Sequence, residues 1–125
     1  MSKTALIVDD SRTMRQMVAF TLTNAGFTVI EAEDGKDAVN KVKAAGQAKL
    51  DIVVTDLNMP EMDGIALIKE LRKLTTFKFT PILMLTTEAA MEKKQEGKEA
   101  GATGWIVKPF NPEVLLKTIA KVLPA

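Results

Sequence analysis

Ala5-Leu-Ile-Val8 runs straight into Asp9-Asp10, and this junction of four apolar residues with two carboxylates decides how the whole chain is read. A short apolar run without polar alternation fits a strand covered on both faces, as in parallel α/β sheets. Three more runs have the same form. Asp51-Ile-Val-Val-Thr55 runs into Asp56, Pro81-Ile-Leu-Met-Leu85 into Thr86, and Gly104-Trp-Ile-Val107 into Lys108. The carboxyl ends of parallel strands share one edge, and ligands bind in the crevice there. Three acids, a hydroxyl and an ammonium, far apart in sequence, are thus expected in one place.

Helical patterns fill the intervals. Strands are expected at residues 4–8, 27–30, 51–55, 81–86 and 103–107, and helices at 12–25, 35–45, 65–74, 89–100 and 112–123. In the first helix Met14, Met17, Val18 and Leu22 share a face, with Ser11 as N-cap and Gly26 as stop. The second opens at Gly35, turns Ala38, Val39 and Val42 inward and ends at Gly46. Met59-Pro60 and Gly64 shape a loop before a helix carrying Ile65, Leu67, Ile68 and Leu71, and Asp63 is a loop or cap residue. Pro112 starts the last helix, with Leu115, Ile119 and Val122 inward. The fourth helix, Glu88-Ala-Ala-Met-Glu-Lys-Lys-Gln-Glu-Gly-Lys-Glu-Ala, has few large apolar residues, so it is expected to dock weakly and move at low cost. The expected architecture is (βα)5, one α/β domain over residues 1–125 with no second domain expected.

Composition removes several chemistries. There is no cysteine and no histidine, so thiolate catalysis, disulfides, a His-based triad and a His-ligated zinc site are all excluded. A bound metal must take oxygen ligands, which favours Mg²⁺ or Ca²⁺. A formal net charge of +1, without a block of like charge, gives no reason to expect nucleic-acid binding. No apolar run approaches the ~20 residues that span a bilayer. With no leader pattern before the first strand, a cytoplasmic protein without membrane insertion is expected.

At the strand ends, Asp9, Asp10 and Asp56 would repel one another unless a cation lay between them, and a divalent ion there would clamp a phosphoryl group. Taken alone, the Asp9-Asp10 pair would read as a cap for the first helix; Asp56 on the same edge tips the reading to metal. Asp56 is then a candidate carboxylate nucleophile, since aspartate forms acyl phosphates. Asn58, two residues on, is placed to offer its backbone carbonyl to such a metal. A lysine after a buried strand is costly without an anionic partner, so Lys108 either meets the acids or snorkels to the surface, and the bond to Pro109 is permissive of the cis geometry that would turn it inward. Thr86 and Thr87 offer hydroxyls, and Glu88 sits at the rim or caps the fourth helix. Trp105 is expected near the sheet edge or under that helix, as a core or rim aromatic.

These residues, in this order, resemble the receiver domain of bacterial response regulators, and among them the stand-alone chemotaxis regulators. The resemblance rests on Val8-Asp-Asp-Ser11, Arg12-Thr-Met-Arg15, Thr55-Asp-Leu-Asn-Met-Pro60 through Met62-Asp-Gly64, and Gly101-Ala-Thr-Gly-Trp-Ile-Val-Lys-Pro-Phe110, and it covers essentially the whole chain. It implies a flavodoxin-like strand order of 2-1-3-4-5. It makes Asp56 the phosphoacceptor and Asp10, Asp56 and the Asn58 carbonyl the Mg²⁺ ligands, with Asp9 acting mainly through water. Lys108 neutralises the incoming phosphoryl group, and Thr86 bonds it once attached. Trp105 stands at the aromatic switch position, where relatives carry Tyr or Phe. Asn58 and Glu88 tune hydrolysis, and Thr87 replaces a smaller residue found in many relatives.

The implied partners are a sensor histidine kinase as phosphodonor, the flagellar motor switch as target and a phosphatase. The implied output face is helix four, strand five and helix five of a monomer, with Lys93, Lys94, Trp105, Lys117 and Lys121 as members. Beyond phosphorylating and dephosphorylating itself at aspartate, such a protein is not an enzyme. Three rivals stand beside this reading: a phosphate sink or phosphorelay intermediate, a Mg²⁺-dependent hydrolase of small phosphoesters, and an interaction domain with a decayed site.

Overall fold

A computed structural model describes residues 3–45 and 49–123. Five strands, β1 (Lys3–Val8), β2 (Phe27–Ala32), β3 (Ile52–Thr55), β4 (Ile82–Thr86) and β5 (Gly104–Val107), form one parallel sheet in the order β2-β1-β3-β4-β5. They alternate with α1 (Arg12–Asn24), α2 (Gly35–Ala44), α3 (Gly64–Lys73), α4 (Met91–Ala100) and α5 (Pro112–Val122). The doubly wound fold and its strand order are those expected, and every expected element is present to within two residues at each end. A 3-10 turn, Thr75–Phe77, follows α3.

Successive strand residues point to opposite faces, and both faces are apolar. Leu6, Val8, Val53, Ile82 and Met84 pack with Ala38, Val42, Leu67, Ile68 and Leu71 under α2 and α3. Ala5, Ile7, Ile52, Val54, Leu83 and Leu85 pack with Val18, Leu22, Leu115 and Ile119 under α1 and α5. Double coverage is the reason the central strands read as continuous apolar runs.

Helix ends follow local chemistry. Ser11 Oγ accepts from the Met14 amide, Asp34 from Asp37, Asp63 from Ala66 and Asn111 from Glu113 and Val114. Gly26 stands just past α1 at φ +97°. The expectation that Gly46 ends the second helix lies outside the described residues.

Two expectations need correction. Met17 is 51% exposed and outside the core. The buried stripe follows the i, i+4 row through Met14, Val18 and Leu22, which drifts round the helix away from Met17. β2 runs two residues beyond the expected Ile30, because Glu31 and Ala32 continue the parallel register opposite Ile7 and Val8. An acidic residue in that position hides the strand in the sequence; here Glu31 finds Arg15 as a partner.

Candidate functional site

The carboxyl edge of the sheet is stitched by backbone bonds between neighbouring strand ends. The Asp9 amide donates to the Ala32 carbonyl, Asp56 to Val8, and Lys108 to Thr86, at 3.1, 2.9 and 2.8 Å. Asp9, Asp56 and Lys108 are therefore each the first residue past a strand and Thr86 the last within one, and backbone bonds to the strand beside them fix their positions.

Lys108 lies at the centre. Its Nζ donates to Asp9 Oδ2 at 2.7 Å and to Asp56 Oδ2 at 3.3 Å, and its side chain is 9% exposed. Asp9 and Asp56 are 3% and 9% exposed, while Asp10 is exposed. Asp9 Oδ1 accepts from the Ser11 amide at 2.9 Å, and Asp56 Oδ1 from the Leu57 amide at 2.7 Å. Both buried carboxylates thus present one oxygen to backbone and the other to the ammonium. The peptide between Lys108 and Pro109 is cis.

The loop after β3 folds back over Asp56. The Gly64 amide donates to the Leu57 carbonyl at 2.8 Å, and a Cβ at Gly64 would overlap the Asp56 carbonyl. Only glycine allows the start of α3 to approach so closely.

Carboxylate oxygens of Asp9, Asp10 and Asp56 lie within 4.8 Å of one another. Three carboxylates against one ammonium leave two negative charges in a partly buried site, an excess that one divalent cation cancels. The donors are all hard oxygens. By charge and by ligand type these residues fit Mg²⁺.

Thr86 is buried, and its hydroxyl oxygen accepts from the Glu88 amide at 3.3 Å. Glu88 Oε1 accepts from the amide of Ala90, the N-cap of α4, at 3.1 Å, so Glu88 serves the start of that helix. Asn58 and Thr87 are exposed on their loops. Trp105 is half-buried on the edge strand β5, and its Nε1 donates to the Glu88 carbonyl at 2.9 Å.

The family model described as the response regulator receiver domain matches residues 5–120. The chain belongs to this family. It is 43% identical over 119 residues to the chemotaxis protein CheY1 of Helicobacter pylori, covering 94% of each chain. The structure of the Vibrio cholerae chemotaxis protein CheY4 superimposes with a TM-score of 0.92 at 53% identity, over 98% of this chain and 100% of that one. The receiver domain of a Pseudomonas aeruginosa sensor histidine kinase, 23% identical, has the same fold, with a TM-score of 0.84 over 97% of each chain; its structure carries a magnesium ion in the active-site cleft. Membership makes this receiver a signalling regulator of the CheY-like chemotaxis type. No helix among the described residues is long and apolar enough to cross a membrane.

Two arginines of the receiver escaped the reading of the sequence. Arg15 donates to the Asp9 carbonyl at 2.7 Å and to Glu31 at 3.3 Å, bracing the strand end that carries the acids. Arg72 ties the far end of α3 to the Gly101 carbonyl and to those of Phe77, Lys78 and Thr80. Arg15 lay within a quoted motif, but its partners are a main-chain oxygen and a residue of the next strand, which only the fold brings near.

Burial holds the Asp9 carboxyl above its ordinary range, with Asp56 adding to the rise and the Lys108 and Ser11 hydrogen bonds opposing it. The folded receiver therefore binds this proton more tightly than the unfolded chain. The stability tied to Asp9 is fully present below the ordinary carboxylate pKa and is lost as pH rises through the raised value. At neutral pH the metal-free protein bears that cost. Asp9→Asn is expected to stabilise the receiver in chelator, since it removes a buried charge while Lys108 keeps Asp56 as partner, and to reduce the stabilisation gained from added Mg²⁺. Thermal unfolding with chelator and with Mg²⁺ measures both; a variant destabilised in chelator would contradict the charge argument.

Proposed function

We propose that this receiver takes a phosphoryl group from the phosphohistidine of a sensor kinase onto Asp56, and then binds a target through α4, β5 and α5. The observation that carries the proposal is Lys108 Nζ lodged between Asp9 and Asp56.

Phosphoryl transfer demands alignment and charge neutralisation more than acid–base groups. One carboxylate oxygen of Asp56 forms the bond to phosphorus as the P–N bond of the donor breaks, and the electron pair leaves on the imidazole nitrogen. The Leu57 amide orients the Asp56 carboxylate. Lys108 offsets charge on the transferring group, an electrostatic role of the kind that dominates in a water-poor site. Asp9, Asp10 and Asp56, with the Asn58 carbonyl, would hold Mg²⁺, which supplies a second positive charge to the phosphoryl oxygens. The Thr86 hydroxyl, whose oxygen already accepts from Glu88, has its own proton free to donate to the attached phosphoryl. Asn58 and Glu88, at the rim, set how readily water reaches the acyl phosphate.

On the output face, a groove of about 250 Å³ is lined by Lys94, Lys98, Thr103, Gly104 and Trp105. Its lysines favour an acidic partner. The likeness to chemotaxis proteins makes the flagellar motor switch the target we favour, in the cytoplasm, with a phosphatase to reset the signal. Residues 1–125 act in this reading as one receiver unit whose output is protein contact.

Intact mass after incubation with Mg²⁺ and a small phosphodonor tests the proposal. One phosphoryl adduct per chain is expected, dependent on Mg²⁺ and mapped to Asp56 by fragmentation. Repeated turnover of a phosphoester without an adduct would favour the hydrolase. An adduct elsewhere, or none under conditions where Mg²⁺ is bound and beryllofluoride also fails to bind, would sink the phosphoacceptor assignment. A phosphorylated form that does not bind a motor-switch peptide would favour the phosphate sink or relay.

A further inference from the structure

Trp105 is held at two points. Its Nε1 donates to the Glu88 carbonyl at 2.9 Å, reaching from β5 to the loop between β4 and α4. Its six-membered ring lies against Gly97 of α4, where an added Cβ would meet Cζ3 at 2.7 Å and Cε3 at 3.4 Å. Of the α4 residues, Gly97 alone is buried. A glycine inside a helix weakens it relative to alanine. α4 is poorly placed to bear this, since its N-cap is Ala90, whose methyl offers no acceptor, and its apolar face is sparse. The tryptophan ring gives the physical reason for a glycine at that turn.

The contacts form a continuous path. Thr86 Oγ1 accepts from the Glu88 amide, the Glu88 carbonyl accepts from Trp105, and the Trp105 ring rests on α4. We propose that Gly97 is a positioning residue that seats Trp105. Its missing side chain lets the indole lie between α4 and the β4–α4 loop, so that displacement of Thr86 and Glu88 passes to α4 through one rigid ring. The bulk of tryptophan at 105 and the absence of bulk at 97 are two halves of one device. The source of the displacement rests on the phosphoacceptor reading; the seat itself does not.

Gly97→Ala separates this proposal from an ordinary helix glycine. An ordinary one, replaced by alanine, would strengthen α4 and slow its amide exchange. A seat filled by a methyl group overpacks, so α4 amides should exchange faster, by about tenfold. The indole, unique in the chain, should become more accessible to acrylamide quenching. With Mg²⁺ and beryllofluoride, Gly97→Ala should bind the phosphoryl mimic as fully as wild type, yet lose most of the Trp105 emission change. Gly97→Ala combined with Trp105→Phe, whose smaller ring lacks the outer indole atoms, should return α4 exchange toward wild type. Slower exchange, unchanged quenching and an intact emission response in Gly97→Ala would overturn the proposal. Failure of the wild type to bind beryllofluoride would overturn the phosphoacceptor reading and the coupling with it, while quenching and exchange without ligand still decide the seat.

Discussion

Lys108→Met is expected to slow phosphoryl uptake by about 100- to 1,000-fold, the usual cost of removing one fixed positive group from a transferring charge. Methionine matches the apolar stem of lysine as far as Cε, so the change isolates the ammonium. Without it, Asp9 and Asp56 face each other with no counter-ion between them. Both are almost fully buried, at 3% and 9% exposure. Breaking a buried pair by deleting one partner costs about 3–5 kcal/mol, and here one deletion strands two carboxylates. The metal-free variant should therefore unfold earlier at neutral pH and recover as the pH is lowered, since protonation of Asp9, whose carboxyl pKa burial already raises, relieves the repulsion. Its Mg²⁺ affinity should move the other way and increase, because Nζ no longer occupies the Asp9 and Asp56 oxygens that a cation would use. Calorimetric titration with Mg²⁺, thermal unfolding in chelator, and the time course of adduct mass read the three effects separately. Uptake at the wild-type rate would remove Lys108 from the chemistry, and weaker Mg²⁺ binding would show that the ammonium does not compete with metal.

The acids, the lysine and Thr86 were legible in the sequence for one reason. Each lies at the end of an apolar run, and a parallel sheet gathers such ends at one edge. Nothing finer than strand order was needed to bring Asp9, Asp56 and Lys108 together. α4 was legible for a related reason: its lack of large apolar residues limits what it can bury, and in the structure only Gly97 is buried. What stayed hidden depended on partners that leave no trace in sequence. Arg15 and Arg72 bond main-chain oxygens, which every residue type supplies, so no pattern marks the acceptor. Phe77 is fully buried in a 3-10 turn too short for any periodicity to show. Met17 satisfied the helical spacing but sat on the wrong border of the stripe. The Trp105 indole bond to the Glu88 carbonyl required the loop conformation to be known.

Arg72→Met is expected to destabilise the protein by about 3 kcal/mol, the sum of a few charged hydrogen bonds at the usual net worth. The guanidinium makes five bonds to four backbone carbonyls. Nε and Nη2 donate to Gly101 at 3.2 and 2.7 Å, and Nη1 donates to Phe77, Lys78 and Thr80 at 2.7, 3.2 and 2.7 Å. Those carbonyls belong to the turn after α3, the approach to β4 and the residue past α4, so one side chain joins three segments. Burial pulls its pKa below the ordinary arginine value, yet the fork of donors has no substitute. Gly101 is fitted to it: at φ +113° the backbone suits glycine, and a Cβ there would come within 2.9 Å of Arg72 Nε. Methionine fills the channel and leaves the carbonyls unpaired. Arg72→Lys keeps the charge but cannot span both sides, so it should fall between wild type and Arg72→Met. Urea unfolding should show a lower midpoint with an unchanged slope. Phosphoryl uptake at a temperature where the variant is folded should be retained, because α3 begins beside Asp56 at Gly64 and carries Arg72 to the opposite edge of the sheet. A midpoint equal to wild type would mean that water satisfies these carbonyls as well as the guanidinium does; an uptake defect in the folded variant would mean that the two edges of the sheet communicate.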